Sequence, residues 1–191
     1  PFEASVTVFG ANIQNATRLQ KIAPDRVSLV NVDGTTRVRG SELLVRYKEN
    51  GFTVTGSYVY VDAREPDPSG IGRREVPLTP RHTAGLVGMW EEHGKGRIGV
   101  EAYYTGKQSL EDNPYRTRSR PYVHLGILGE VVLGRISLFA NAENLLNVRQ
   151  TRYDPLLLPQ RDAGGQWTVD AWAPLDGFTL NGGLRLRFGG E

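Results

Sequence analysis

The stretch "NAENLLNVRQTRYDP", Asn141 to Pro155, carries the pattern that decides the fold. It starts as the end of an apolar strand, passes through Asn-Leu-Leu-Asn, and continues into a long polar segment instead of a tight turn. In compact soluble domains, loops of more than about a dozen residues are usually functional or disordered. Several such loops occur along the chain, and the strands between them indicate what kind of sheet they serve.

The composition favours β-strands. Of 191 residues, 39% are apolar and 23 are glycine, and Tyr, Val, Thr, Arg and Leu recur in short stretches. The net charge is only +2 with both signs spread along the chain, which predicts no nucleic-acid partner. The absence of cysteine excludes disulfides and thiolate metal sites. No apolar run reaches about eighteen residues, which excludes a transmembrane helix but not a membrane β-barrel.

Alternation of apolar and polar residues predicts eight strands. We expect them at Ser5–Ile13, Val38–Lys48, Phe52–Asp62, Arg81–Glu91, Arg97–Tyr104, Tyr122–Val132, Arg135–Asn144 and Thr179–Phe188. Most are about nine to eleven residues long, the length that a tilted strand needs to cross a bilayer. Soluble strands are usually about five or six residues long. Strand length therefore favours a membrane protein.

The connections between these strands alternate between short and long. "ENG", "EHGKG" and "LG" are the short ones, and the other four run for about seventeen to thirty-four residues. If successive strands are antiparallel, all tight turns lie at one end of the sheet and all long loops at the other. Outer-membrane barrels have this asymmetry, with short periplasmic turns and longer extracellular loops.

The two faces of the strands differ in polarity. In the strand from Phe52 to Asp62, for example, Val54 and Tyr58 share a face opposite Thr55 and Ser57. A soluble sandwich or small barrel would show the same alternation with its apolar face inward. An Arg or Lys on a lipid-facing surface costs about 2–4 kcal/mol at the bilayer midplane. In a membrane barrel, the lumen would therefore receive the polar faces with Glu42, Arg46, Glu101, Arg185 and Arg187.

Catalytic and metal-binding patterns were not found in the sequence. His82, His93 and His124 lack metal-ligand spacing, and "GIGRRE" (Gly70–Glu75) lacks the setting of a phosphate-binding loop. Paired carboxylates occur only in turns or loops, and there is no nucleophile-elbow motif. We therefore predict no catalytic residue, no metal site and no cofactor, and we expect that the chain is not an enzyme.

The segment "NPYRTRSRPY", Asn113 to Tyr122, places Arg116, Arg118 and Arg120 at every second residue. In an extended segment these arginines would line one side. They could bind an anion such as a ferric siderophore through charge-assisted hydrogen bonds. The alternative is a solvated loop whose arginines contact lipopolysaccharide phosphates or neighbouring acidic loops.

Several motifs resemble those of TonB-dependent outer-membrane receptors. The stretch "FANAENLLNVRQTRYDP" (Phe139–Pro155) resembles their penultimate strand, which ends in Asn-Leu-Phe-Asp or Asn and passes into the last extracellular loop. Four further stretches resemble family motifs in the same order: "VRGSELLVRY" (Val38–Tyr47), "VPLTPRHTAGL" (Val76–Leu86), "YYTGKQ" (Tyr103–Gln108) and "NGGLRLRF" (Asn181–Phe188). The order and spacing of these motifs extend over nearly the whole chain.

The resemblance implies an antiparallel, all-β, transmembrane β-barrel segment in the bacterial outer membrane. Residues 1–191 would form the C-terminal third or so of a barrel of about 22 strands. The signal peptide, TonB box, plug and earlier strands would lie outside this sequence, since "PFEASVTVFG" has no initiator Met or leader. The implied function is uptake of a scarce solute, first a ferric siderophore and otherwise cobalamin or a carbohydrate. The implied partners are outer-membrane lipid, lipopolysaccharide and, through the missing N-terminal part, the TonB complex.

The same resemblance assigns two sets of residues. The extracellular loops would contact anionic or aromatic ligands through cationic and aromatic side chains. These candidates are Tyr115, Arg116, Arg118, Arg120, Arg149, Arg152, Tyr153, Trp167 and Trp172. In the terminal strand, Leu184, Leu186 and Phe188 resemble the signal that the outer-membrane assembly machinery reads. The "GGE" after Phe188 departs from the family pattern, which usually ends on the aromatic residue.

Two alternatives remain open at this point. A complete eight-stranded outer-membrane barrel would pair its first and last strands, whereas a segment of a larger barrel would leave them as edges. A soluble β-barrel or sandwich that binds a hydrophobic ligand would bury the apolar face inside.

Overall fold

The computed structural model describes residues 1–23, 26–158 and 168–188. It contains eleven strands and one short 3₁₀ helix at Gln150–Arg152. The strands are β1 (Phe2–Gln14), β2 (Thr17–Ala23), β3 (Arg26–Asn31), β4 (Thr35–Glu49), β5 (Phe52–Pro66), β6 (Arg73–Glu75), β7 (His82–Glu92), β8 (Gly96–Thr105), β9 (Tyr122–Leu133), β10 (Ile136–Glu143) and β11 (Thr179–Leu186). Within the described ranges, no helix is long and apolar enough to span a membrane.

The main sheet is an antiparallel meander. Its strand order is β1-β4-β5-β7-β8-β9-β10-β11, and the short β6 extends the sheet beside the far end of β5. All eight strands expected from the sequence are confirmed, which confirms the all-β fold class. Strands β1 and β11 lie at opposite edges and do not pair with each other in the described residues. The sheet is therefore open, unlike that of a complete eight-stranded barrel.

Three tight turns lie together at one end of the sheet. Asn50 and Gly51 connect β4 to β5 with φ angles of 48° and 80°. Positive φ at both central residues is the geometry of a two-residue turn whose twist matches that of antiparallel strands, and Asn-Gly is its preferred sequence. Gly134 (φ 62°) begins the β9–β10 turn and Gly94 (φ 75°) lies in the β7–β8 turn. The alternation of short and long connections is therefore confirmed.

Two of the long connections contain strands that were not predicted from the sequence. The first connection holds the β2–β3 hairpin, in which Leu19 pairs with Leu29, and the second holds β6. A long exposed segment can satisfy its backbone hydrogen bonds by pairing with itself or with a neighbouring strand end.

The strand register makes one face of the sheet continuously apolar. One row of paired residues crosses all eight long strands: Phe2, Tyr47, Val54, Gly88, Val100, Ile127, Ala142 and Leu180. The neighbouring row on the opposite face contains Arg46, Thr55, Val87 and Glu101. A shift of one residue in any strand would exchange the two faces, so the hydrophobic pattern fixes this register.

The apolar face is not covered by a second layer of the described residues. On this face, Val100 is 50% exposed and Leu86 is 52% exposed. The soluble alternative needs these side chains packed in a common interior, which the described part of the chain does not form. The apolar face is instead available to a hydrophobic medium, and the polar face forms the opposite wall.

Candidate ligand-binding loops

The Asn-Leu-Leu-Asn motif joins the two ends of the last long loop. Asn144 adopts φ 52° at the end of β10, and its buried side-chain amide bonds the Val148 backbone in both directions. The same amide donates to the Asp176 carbonyl at 3.0 Å, and Asn147 Oδ1 accepts from the Phe178 amide at 3.2 Å. Both asparagines therefore fasten the start of the loop to the residues that lead into β11. A polar loop of this length can follow an apolar strand because its two ends are fixed side by side.

Gln150 forms the centre of the packing within this loop. Its side chain is fully buried, accepts from the Trp172 amide at 2.8 Å and donates to the Asp170 carbonyl at 3.1 Å. From the preceding loop, Gln108 donates to the Trp172 carbonyl at 3.0 Å. Neither glutamine was predicted from the sequence as a site residue. Their signal is weak because glutamine is common in exposed loops, and only the fold reveals their burial.

Cationic and aromatic side chains from two loops meet beside these glutamines. Arg116 forms a bidentate ion pair with Asp154, whose side chain is only 6% exposed, and its guanidinium lies 5.4 Å from the Trp172 ring centre. Arg120 lies 5.0 Å from the ring centre of Tyr153, which stacks on Trp172 at 5.9 Å. We call this set the loop cluster: Arg116, Arg120, Tyr153, Asp154 and Trp172.

The loop cluster has a buried base and an exposed outer part. Trp172 is 2% exposed and Asp154 is buried beneath Arg116, so these side chains hold the loops together. Arg120 and Tyr153 are exposed and present a cation and an aromatic ring to the outside. The structure thus brings together four of the predicted site residues: Arg116, Arg120, Tyr153 and Trp172.

The three arginines of the segment Asn113–Tyr122 contact two different neighbouring segments. Arg118 donates to Glu75 in β6 at 2.7 Å, whereas Arg116 and Arg120 contact the last loop. The expectation that all three arginines line one side is therefore wrong. Their segment is not a regular strand, and acidic and aromatic partners from different loops determine where each guanidinium lies.

The remaining predicted loop residues lie outside the loop cluster, and two of them contact backbone carbonyls of the last loop. The Tyr115 hydroxyl donates to the Leu157 carbonyl and so connects the third long loop to the last one. Arg152 is exposed and its guanidinium lies 3.4 Å from the Leu146 carbonyl, while Arg149 is half-buried. Trp167 lies outside the described residues.

A second ion-pair group connects β6 to its neighbours. Arg74 binds Glu65 at 2.7 Å and Glu111 of the next loop at 2.7 Å. Burial alone would lower the pKa of Arg74, but its hydrogen bonds to Glu111 and Glu65 outweigh burial and raise that pKa. The guanidinium therefore stays charged, and the second and third long loops are joined by ion pairs as well as by Arg118.

The family of this chain follows from its sequence match. The family model described as "TonB dependent receptor-like, beta-barrel" matches residues 1–145. The chain belongs to the TonB-dependent receptor β-barrel family. This family consists of receptors and transporters of the Gram-negative outer membrane, which are not enzymes, and the chain is located in that membrane. No curated protein sequence matches the chain.

Solved structures of siderophore and iron receptors share the fold. The ferric enterobactin receptor PfeA of Pseudomonas aeruginosa, solved with enterobactin, has a TM-score of 0.66 at 19% identity, covering 96% of this chain and 29% of that one. The ferric-catecholate import receptor Fiu of E. coli K12 has a TM-score of 0.64 at 16% identity, covering 98% and 25%. The FrpB iron transporter of Neisseria meningitidis has a TM-score of 0.62 at 15% identity, covering 98% and 29%. This chain thus spans about a quarter to three tenths of each structure.

In this receptor barrel wall, the polar face carries an ion-pair group near the tight turns. Glu130 of β9 binds Arg97 of β8 at 2.9 Å and Arg185 of β11 at 3.3 Å. These residues line a hollow of about 490 Å³ that also contains Val87 and Phe139. Paired charges on this face agree with a polar lumen, because charged side chains are costly on a face in contact with a hydrophobic medium.

Proposed function

We propose that this chain is the C-terminal third or so of a TonB-dependent receptor that takes up a ferric siderophore. The short coverage of the neighbouring structures and the open edges at β1 and β11 support a segment of a larger barrel. Edge strands of this length normally require partners, which the remaining strands of about 22 would supply. TonB would act through a part of the receptor outside this chain. Cobalamin and carbohydrates are the alternative solutes.

The loop cluster is the observation that carries this proposal. Arg120 and Tyr153 present an exposed cation and aromatic ring at the long-loop end of the wall. Such a pair suits a solute that combines negative charge with aromatic rings, through hydrogen bonds and stacking. The neighbours PfeA and Fiu are named for ferric enterobactin and ferric catecholates. Tyr115, Arg149, Arg152 and Trp167 remain predicted ligand contacts, and Trp172 and Arg116 support the surface from below.

The wall itself has two further proposed partners. Outer-membrane lipid would contact the apolar face, and lipopolysaccharide would surround the loop end. The outer-membrane assembly machinery would read Leu184, Leu186 and Phe188, whose side chains are all exposed at the β11 edge. In this proposal, the described residues take part in binding, passage or assembly and in no bond-making step.

Iron uptake by the complete receptor tests this function. Cells that depend on it for iron are given ferric catecholate, ferric hydroxamate, cobalamin or a labelled oligosaccharide. We expect TonB-dependent uptake of a ferric siderophore, reduced about tenfold by Arg120→Ala with Tyr153→Ala, because one charged and one aromatic contact are lost. The control replaces Arg18 and Arg26 of the β2–β3 hairpin by alanine.

Two results would contradict the proposal in different ways. TonB-dependent uptake of cobalamin or a carbohydrate without any ferric siderophore would overturn the solute class. Siderophore uptake that is unchanged in the Arg120 and Tyr153 variant, but reduced in the control, would move the site to another loop.

A further inference from the structure

The apolar face ends in a group of arginines at its long-loop end. Strand parity continues without a bulge from Leu43 and Tyr58 through Arg39 and Asp62, so these charged residues share the lipid-facing side. The next paired positions on that side are Arg37 and Arg64. We call the following set the rim cluster: Arg37, Arg39, Arg64, Arg73, Arg81 and Arg118 with Asp62 and Glu75.

The rim cluster lies directly above the aromatic border of the apolar face. The Tyr58 hydroxyl and His82 Nδ1 are hydrogen-bonded at 2.7 Å, and the Tyr60 and His82 rings lie 5.3 Å apart. With a rise of about 3.4 Å per residue, Asp62 follows Tyr60 by about 7 Å along the strand. A strand tilt of about 40° reduces this to roughly 5 Å of height. The polar headgroup layer is about 5–8 Å deep on each side of a bilayer, so the cluster lies at its level.

The acids of the rim cluster are already occupied by some of its arginines. Asp62 binds Arg64 at 3.0 Å and Arg81 at 3.5 Å. Glu75 binds Arg81 at 2.6 Å and Arg118 at 2.7 Å. Arg64, Arg81 and Arg118 therefore bind the two carboxylates, and the three other arginines of the cluster leave positive charge in excess.

Arg37 and Arg39 carry that excess charge. Both are exposed, and neither has an ion-pair partner among the described residues. Arg37 is paired directly with Arg64 across the strands, an arrangement that is destabilising for like charges. Arg39 lies directly opposite Asp62 of β5, whose carboxylate binds Arg64 and Arg81, and opposite Gly10 of β1, which has no side chain. An anion from outside the chain would satisfy both positions.

We propose that the rim cluster binds the phosphate groups of lipopolysaccharide in the surrounding outer leaflet. Arg37 and Arg39 contact the phosphate directly. Arg64, which is also paired with Asp62, adds to the positive charge beside them. A basic group at headgroup level is the usual means of recognising an anionic lipid, and arginine suits phosphate because its donors are paired and planar. This site deepens the lipopolysaccharide contact of the proposed function. It rests on the membrane location and not on the identity of the transported solute.

Binding of lipid A to the complete receptor tests the site. The purified receptor is titrated with bis-phosphorylated lipid A and with dephosphorylated lipid A in the same detergent. We expect Arg37→Gln with Arg39→Gln to weaken binding of the phosphorylated form about tenfold, because two charges near the lipid surface are lost. Arg37→Lys with Arg39→Lys keeps the charge and should retain most of the binding. Arg18→Gln with Arg26→Gln removes two charges from the β2–β3 hairpin and should leave binding unchanged.

Each outcome bears on the lipid assignment. Equal binding of dephosphorylated lipid A, or unchanged binding in the Gln variant with native gel mobility, would overturn it. Competition by millimolar inorganic phosphate alone would indicate a site for a free anion, and competition by a ferric siderophore would assign the arginines to the transported solute. A native receptor that binds phosphorylated lipid A but takes up no ferric siderophore would contradict only the proposed solute.

Discussion

The two ends of the same strands are built in different ways. At the tight-turn end the chain reverses through positive-φ residues such as Asn50 and Gly51, and backbone geometry alone specifies the connection. At the long-loop end the connections are held by buried side chains from different loops, such as Gln108 against Trp172. Local sequence therefore determines one end, whereas the other end forms only when several loops meet. We expect mutations to affect the two ends, and the two faces between them, unequally.

The largest expected effect separates the two faces of β7. Leu86 lies on the apolar face and its neighbour Val87 lies on the polar face. In the complete receptor in lipid vesicles, Leu86→Arg should lower the free energy of unfolding by about 2–4 kcal/mol, because a cation is moved into hydrocarbon. Val87→Arg faces Glu101 across the strands and should cost less than about 1 kcal/mol. Denaturant titration measures both, and equal losses would contradict the assignment of faces.

The next effect concerns ion pairs at the loop end. Asp154→Ala leaves Arg116 half-buried without its partner and should destabilise the loop cluster by about 2–3 kcal/mol. Arg118→Gln removes an exposed pair with Glu75 and should cost less than about 1 kcal/mol. Hydrogen exchange of the last loop measures local opening. Similar exchange rates in the two variants would show that burial of the Arg116–Asp154 pair does not stabilise the last loop.

An asparagine with positive φ occurs at each end of the sheet, Asn50 at the tight-turn end and Asn144 at the long-loop end. Asn144 and Asn50 have nearly the same φ, 52° and 48°, but only the Asn144 side chain is hydrogen-bonded in the described structure. Asn144→Gly keeps the backbone freedom and should cost about 1–3 kcal/mol through the groups left unpaired. Asn50→Gly should change stability by only a few tenths of a kcal/mol. Thermal unfolding of both variants tests this, and a larger loss for Asn50→Gly would reverse the comparison.

The smallest effect is a pH dependence in the second long loop. Hydrogen bonds from the side chain and backbone of Ser69 lower the pKa of Asp67 below its usual value of 3.8. Because the pKa of the folded loop is depressed, this stabilisation is present above the unfolded pKa and is lost as the pH falls through the folded one. Relative to its intrinsic rate at the same pH, exchange of the Ser69 amide should therefore accelerate as the pH falls through the depressed pKa of Asp67. In Asp67→Asn the acceleration should disappear, and an unchanged profile would exclude Asp67 as its source.

Much of the wall was predictable from the sequence because its signals are local. Period-two alternation located all eight long strands. As expected, the register places Glu42 and Glu101 on one face of the sheet and Val54 and Val100 on the other face. The family resemblance was carried by short motifs and is confirmed over residues 1–145. Such features need no knowledge of distant residues.

The loop end was less predictable because its contacts are long-range. Nothing near Arg118 in the sequence indicates Glu75, and nothing near Gln150 indicates that Trp172 will cover it. The β2–β3 hairpin was missed because its alternation is short and lies between polar residues. The sequence did not indicate which candidate residues are buried, such as Trp172, and which are exposed, such as Arg120 and Tyr153, because that division depends on the fold.

The Asn144 and Asn147 bonds have a practical consequence for engineering. Since they secure the stem of the last loop to Asp176 and Phe178, the sequence between the two stem ends is decoupled from the strands. Doubling the length of a flexible loop adds only about 0.6 kcal/mol of closure entropy. In the proposed receptor, a peptide epitope grafted after Leu158 should therefore leave the stem undisturbed and be displayed on the cell surface.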